Sequence, residues 1–279
     1  RRAAKAIIDG RSVWVNRKCI WIARHMLHTG DTVEVPRAVV SAAKRQPGSD
    51  RSGPEEKSGT SPARPAPARH VRVILETPDY IVADKPAGFL SCGDPKSVEM
   101  ILRHQLHIPT LEAVHRLDRD TSGLMVYAKD VQTQQSLING WQQLVTDRRY
   151  LALVKGEFEQ TRGRIQSWLT EDKKFVTHSS PVDNGGKYAV THYNVLTSSN
   201  GYSLVECVLE TGRKNQIRVH MAELGHPVVG DAKYGSKNDP MRRLGLHAYM
   251  LCFTHPVTGK RLRFETPVPA CFEKCLNEK

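Results

Sequence analysis

The chain of 279 residues carries 41 Lys and Arg against 29 Asp and Glu, a net charge of +12, and 39% of it is hydrophobic. This is length and apolar content enough for one large domain with a small one, and it excludes a chain disordered throughout. No apolar run approaches the roughly 20 residues of a membrane helix, no signal-peptide pattern opens the chain, and the six scattered cysteines lack zinc-site spacing, which argues against membrane, secreted-disulfide and zinc-module classes.

The basic excess suits a polyanionic partner, and the thiols are expected to be reduced in a cytoplasmic setting. Because Arg1 stands where Met would open a chain, the true N-terminus is expected to lie earlier, which leaves an organellar address open.

Taken in order, the segment RRAAKAIIDG predicts the end of a helix stopped by Gly10, SVWVN a short strand ending at Val15 and Asn16, and HTGDTVEV a turn into a second strand. Over residues 1–40 this order resembles an S4 RNA-binding domain whose first helix would lie before Arg1, although Arg17 stands where Gly is common. A small α+β appendage of another kind is the plainer alternative. The resemblance implies a phosphate-contacting face holding Arg1, Arg2, Lys5 and Arg11, since guanidinium groups suit phosphate oxygens. Residues 41–70 are rich in Pro, Gly, Ser and charge with almost no large apolar side chain, and predict a flexible linker.

From residue 71 to the end the pattern is that of a larger domain. The runs VRVIL and YIVAD predict strands, Lys85-Pro86-Ala87-Gly88 a turn, and residues 97–106 a helix with Val98, Ile101, Leu102 and Leu106 on one side. The stretch Val114 to Ala128, VHRLDRDTSGLMVYA, then packs seven polar side chains ahead of Gly123 and turns apolar from Leu124. It reads as a loop entering a buried strand, a common place for catalytic groups. Asp118 and Asp120 could otherwise be a solvated Asx turn. Asp130 is expected to cap a helix whose Leu137, Ile138, Trp141 and Leu144 face the core.

Further strands are predicted over residues 149–156, 187–196 and 202–209. In LETGRKNQIRVHMAELGH, the residues Ile217, Met221 and Leu224 recur at helical spacing and Gly225 stops the helix, with Arg218 beside them. Segments 246–256 and 262–269 predict paired closing strands, and residues 270–279 a short helix.

His115, Arg116, Leu117, Asp118, Thr121, Ser122 and Gly123 form an HRLDxxTSG pattern. It is similar to the signature of the RluA-type pseudouridine synthases. Thr211, Gly212, Arg213, Gln216, Ile217, Arg218 and His220 resemble a second family pattern, with Asn215 in place of the usual His, and RYLALVKG resembles the segment that supplies an active-site aromatic. The resemblance spans residues 71–269 and implies an α+β fold, a mostly antiparallel mixed sheet with flanking helices and a central RNA-binding cleft. It implies Asp118 as the catalytic carboxylate, Arg218 as its ion-pair partner, Tyr150 stacked on an extruded uracil, Ile217 covering another side, and Arg116 filling the vacated space or contacting phosphate. His115, Thr121, Ser122 and Gly123, with Asp120, would support the loop.

The implied reaction breaks the bond from C1′ of ribose to N1 of uracil, turns the base and rejoins it through C5. The product is an isomer, so neither metal nor other cofactor is expected. The carboxylate would act as nucleophile at C1′ or as base on the ribose. A monomer acting on RNA is expected, with large-subunit rRNA favoured by the S4-like segment and tRNA as the alternative. An inactive RNA-binding or ribosome-associated relative of the same fold is the reading from a different class.

Overall fold

The computed structural model describes residues 13–15, 18–20, 29–30, 32–34, 70–235, 239–256 and 258–277. The chain divides into two units, Arg1–Ala66 and Pro67–Lys279. In the first, strands β1 (Val13–Val15), β2 (Lys18–Ile20) and β3 (Val33–Glu34) form an antiparallel sheet in the order β2-β1-β3. The sequence pattern foreshadows β1 and β3 but not β2. The expected helix ahead of Gly10, the residues Arg1, Arg2, Lys5 and Arg11, and all of the expected linker except His70 lie outside the described residues.

The second unit opens with β4 (Arg72–Glu76), β5 (Tyr80–Lys85), helix α1 (Val98–Leu106), β6 (Glu112–Ala113) and β7 (Ser122–Ala128). Helix α2 (Val131–Leu144) runs directly into β8 (Val145–Lys155), followed by β9 (Arg162–Glu171), β10 (Thr177–Ser180), β11 (Lys187–Ser199) and β12 (Tyr202–Leu209). Helix α3 (Gln216–Glu223), strands β13 (Leu246–Thr254) and β14 (Arg261–Glu265), and helix α4 (Ala270–Asn277) complete it.

Eleven strands form one sheet in the order β10-β9-β11-β12-β8-β13-β7-β5-β4, with β14 on β13 and β6 on β7. Among the described strands the β13–β7 pairing alone is parallel, so the fold is the mostly antiparallel mixed sheet that the family resemblance implies. Helix α1 begins where Ser97 Oγ accepts from Met100 N, and α2 where Asp130 accepts from Thr133 N, both as Ser and Asp caps should.

Side-chain alternation assigns the helices to faces. On β5 and β7, Ile81, Ala83, Met125 and Tyr127 pack with Val98 and Leu102 of α1, while Tyr80, Val82, Leu124 and Val126 pack with Leu137 of α2. On β8, Ala152 and Val154 pack with Ile217 and Met221 of α3, while Leu151 and Leu153 pack with Phe272 and Leu276 of α4. Burial on both faces explains the unbroken apolar runs of these central strands. Tyr150 lies against both the α1 and the α3 clusters, so these two helices share one face and Tyr150 marks where they meet.

Some boundaries differ from the sequence reading. Strand β7 begins inside the polar run, because Thr121 and Ser122 are buried with partners. Strand β8 begins four residues before Arg149, β9 has no counterpart in the reading, and Leu224 is 38% exposed rather than on the apolar face.

Candidate active site

The loop that carries Asp118 is fixed through its backbone on both sides. Before Asp118, Ser91 Oγ accepts from Leu117 N (3.0 Å) and donates to Leu117 O (2.9 Å). After it, Arg119 O accepts from Gly88 N (3.0 Å) and from Lys85 Nζ (2.9 Å), and Thr121 N donates to Asp118 O (3.2 Å). Lys85 is fully buried and also donates to the carbonyls of Pro86 (3.0 Å) and Phe89 (2.8 Å). Burial lowers the Lys85 ammonium to about 7 against the pull of Asp120 and Asp118, yet three carbonyl acceptors match the three donors of its charged form. The turn residue of the KPAG segment is therefore the anchor of the carboxylate loop.

The residues that follow are held from behind. Gly123 adopts φ +120°, and a Cβ there would stand 2.2 Å from Ala248 O, so only glycine lets β7 approach β13. Ser122 Oγ accepts from Arg243 Nη2 (2.7 Å) and contacts His247 Nδ1 (2.7 Å), whose Nε2 meets Thr266 Oγ1 (2.9 Å). Thr266 Oγ1 donates to Tyr249 O (3.3 Å) and so accepts from His247 Nε2–H, which leaves Nδ1 to accept the Ser122 proton. His115 Nε2 accepts from Val126 N (3.1 Å) while the ring stacks on Trp141 at 4.5 Å. Burial, with Arg148 nearby, pushes His115 down to about 3, so the imidazole stays neutral. Asp120 is exposed and acts on the loop by its charge toward Lys85.

Arg218 approaches Asp118 from α3. Its Nη1 lies 3.9 Å from Asp118 Oδ2, and the Asp118 side chain is 30% exposed. The two stand within ion-pair distance, while the two-pronged side of the guanidinium is taken by Asp231. Nε donates to Asp231 Oδ2 at 2.7 Å and Nη2 to Oδ1 at 2.8 Å, while Nη1 donates to Asn215 Oδ1 at 2.7 Å. Asp231 is fully buried and takes two further bonds, from Lys233 N (3.0 Å) and Tyr234 N (3.1 Å). Burial pulls the Arg218 pKa down, but the hydrogen bonds and charge of Asp231, with Asp118 beyond, more than offset it, and the pKa is raised. Arg218 is thus a permanent cation, locked by one carboxylate and turned by one nitrogen toward another.

Asn215, which stands where the family pattern has His, completes that lock. It sits at φ +56°, a conformation Asn tolerates better than most residues, and its amide nitrogen donates to Thr177 Oγ1 (3.2 Å) and Tyr234 Oη (3.1 Å).

Tyr150 shares a face of β8 with Arg148, and its phenol pKa is raised by burial despite Arg148, with the charge of Asp118 adding to the rise. Ile217 is 3% exposed inside the cluster on which Tyr150 packs, so in this arrangement it backs the ring rather than offering a free wall. Arg116 is exposed and makes no hydrogen bond or ion pair among the described residues. Lys85, Ser91 and Asp231 escape sequence reasoning. Of the three, Asp231 carried a signal, an acidic residue in the VVGDAKYG segment after the Arg218 helix.

Residues 79–223 match a family model described as RNA pseudouridylate synthase. The chain is 39% identical over 209 residues to an uncharacterized RNA pseudouridine synthase of Bacillus subtilis (strain 168), an alignment covering 71% of this chain and 69% of that one. It is also 39% identical over 217 residues to ribosomal large subunit pseudouridine synthase D of Neisseria meningitidis serogroup A, covering 71% of this chain and 58% of that relative. Among solved structures, human RNA pseudouridylate synthase domain containing 1 superposes with a TM-score of 0.65 at 25% identity, over 75% of this chain and 90% of that one.

Proposed function

The chain belongs to the RNA pseudouridylate synthase family, and from that premise we propose that it isomerises uridine to pseudouridine in structured RNA, with Asp118 as the catalytic carboxylate. One observation carries the assignment of Asp118. Its backbone is pinned at Leu117 and Arg119, yet its carboxylate is left accessible and 3.9 Å from a cation already neutralised by another acid. A carboxylate serving the fold would be expected to sit in the fork, as Asp231 does. One kept beside the fork, with its side chain 30% exposed, is available to a substrate.

The proposed sequence of events begins with extrusion of the target uridine, which costs a few kcal/mol of lost stacking and pairing. The base rests against Tyr150, supported by Ile217. Asp118 then acts at C1′ as nucleophile or on the ribose as base while the C1′–N1 bond breaks, the base turns, the C1′–C5 bond forms as any bond to Asp118 breaks, the C5 hydrogen leaves as a proton to solvent, and N1 takes up a proton. Arg116, without a hydrogen bond or ion pair among the described residues, takes the space that the base leaves or a neighbouring phosphate.

Large-subunit rRNA is the proposed substrate. Support comes from the name of the Neisseria relative and from the S4-like order of residues 1–40, to which the β2-β1-β3 sheet adds. In that reading Arg1, Arg2, Lys5 and Arg11 contact phosphate. The test is tritium release from C5-labelled uridine in large-subunit rRNA and tRNA transcripts, by the wild type and by Asp118→Asn. Release by the wild type on rRNA and none by the variant is expected. Release on tRNA alone would overturn the rRNA assignment, and none on any RNA would favour a protein that binds without catalysing.

A further inference from the structure

Strands β9 and β10 are joined by residues 172–176, of which Lys173, Lys174 and Phe175 form a three-residue tip inside the Asp172–Val176 hydrogen bond. The Asp172 N–H donates to Val176 O (2.9 Å), its carbonyl accepts from Phe175 N (3.0 Å), and its Oδ1 accepts from Lys174 N (2.8 Å) and Val176 N (2.9 Å). A hairpin loop of this length is commonly a turn followed by one residue in the left-handed region, where glycine is the default because it has no Cβ to clash. Here that residue is Phe175, at φ +61°, and its side chain is 63% exposed rather than buried in compensation. Beyond one ammonium over its ring, the aromatic is not buried by the fold in return, and strain of this type concentrates where a ligand is met.

The surroundings say which ligand. Lys173 and Lys174 directly precede the ring in sequence and form no ion pair among the described residues. Lys214 Nζ lies 5.3 Å from the ring centroid, and Lys233 Nζ donates to Phe175 O. Lys214 is partly neutralised by Glu171 at 2.6 Å, which leaves the net balance at the tip positive. The tip is also joined to the Arg218 lock. Lys233 N donates to Asp231 Oδ1, the oxygen that accepts Arg218 Nη2, and Thr177 N of β10 donates to Tyr234 Oη at 2.8 Å.

We propose that this hairpin tip is an RNA contact in which Phe175 stacks on an unpaired base and Lys173 and Lys174 take adjacent phosphates. A protruding ring with cations beside it is the combination that single-stranded nucleic acid selects, because every base offers a π-face and every linkage a charge. A purely apolar protein pocket would accept the ring but leave the ammonium groups without partners. The proposal rests on the pseudouridine synthase reading for its substrate, and it adds a contact outside the carboxylate and guanidinium centre.

The experiment uses the full chain, the RNA transcript that the wild type modifies, and the variants Phe175→Gly, Phe175→Leu and Phe175→Trp. Phe175→Gly should keep or raise the thermal midpoint, since glycine suits the backbone, and should weaken RNA binding about tenfold. Leu should bind as weakly as Gly, whereas Trp should retain affinity and have its fluorescence quenched by RNA. Lys173→Gln with Lys174→Gln should flatten the salt dependence of binding by roughly one ion per lost phosphate contact. Unchanged affinity in Phe175→Gly, rescue by Leu equal to that by Trp, or unquenched Trp would each overturn the proposal. An inactive wild type would instead sink the functional reading itself, so the two failures are distinguishable.

Discussion

The two halves of the site are held in opposite ways. On the carboxylate side, Lys85, Ser91 and Gly88 grip main-chain atoms of Leu117 and Arg119, and the Asp118 side chain is left largely unclaimed. On the guanidinium side, Asp231 and Asn215 grip the side chain itself, taking three of its five N–H donors and leaving Nη1 3.9 Å from Asp118. The first arrangement fixes where a reactive group starts while leaving its reach to the substrate. The second fixes a charge in place beside the carboxylate. Preorganisation of this type places the positive charge before the reaction requires it.

The largest effect that would break the contrast is expected at Asp231. Asp231→Ala leaves the buried Arg218 cation without its fork partner, and should cost about 3–5 kcal/mol of stability with loss of activity. Urea denaturation measures the first and tritium release the second. A loss under about 1 kcal/mol would mean that Asp118 or solvent replaces Asp231 readily, and the guanidinium side would not be locked at all.

A smaller effect sharpens the comparison from the carboxylate side. His115 is held at about 3, below its ordinary 6.5, so the unfolded chain takes up a proton as pH drops through 6.5 while the native chain does not. Its contribution is complete above about pH 6.5 and is lost on acidification, by about 1.4 kcal/mol per pH unit. His220 and His247, each lowered to about 4, mainly by burial, act in the same direction. Urea midpoints at pH 7.5 and 5.5 should therefore diverge less in His115→Gln than in the wild type, and equal divergence would remove His115 from the account. Arg218, raised rather than lowered, adds no such dependence in this range.

The same contrast explains what the amino-acid pattern disclosed. Asp118, Tyr150 and Arg218 sit in short runs whose residue types repeat a family signature, and the alternation of apolar residues placed most of the strands around them. Asp231 lies thirteen residues beyond Arg218 and Lys85 lies 33 before Asp118, outside any local period, so their partnership exists only once the sheet has formed. Lys85 was legible as a turn residue but not as a buried donor to three carbonyls, because no one-dimensional pattern states where a lysine points. Strand β9 eluded the reading since its alternation, RGRIQSWLTE, is mostly polar, with Gly and Ser at inward-facing positions. Both motifs place Arg218 near Asp118, and the two lie 3.9 Å apart, whereas Asp231, the acid that fills the guanidinium fork, lies outside both motifs and is not legible as its partner.

The central claim is that Asp118 serves the chemistry and is held for that purpose, while its neighbour Asp120 serves the loop. The most direct measurement is single-turnover tritium release at saturating RNA by Asp118→Asn and Asp120→Asn, each paired with its thermal midpoint. Asp118→Asn should lose on the order of a thousandfold or more in rate with a midpoint within about 2 °C of the wild type, and Asp120→Asn should lose far less. A rate for Asp118→Asn within tenfold of the wild type, or a collapse of its midpoint, would contradict the account.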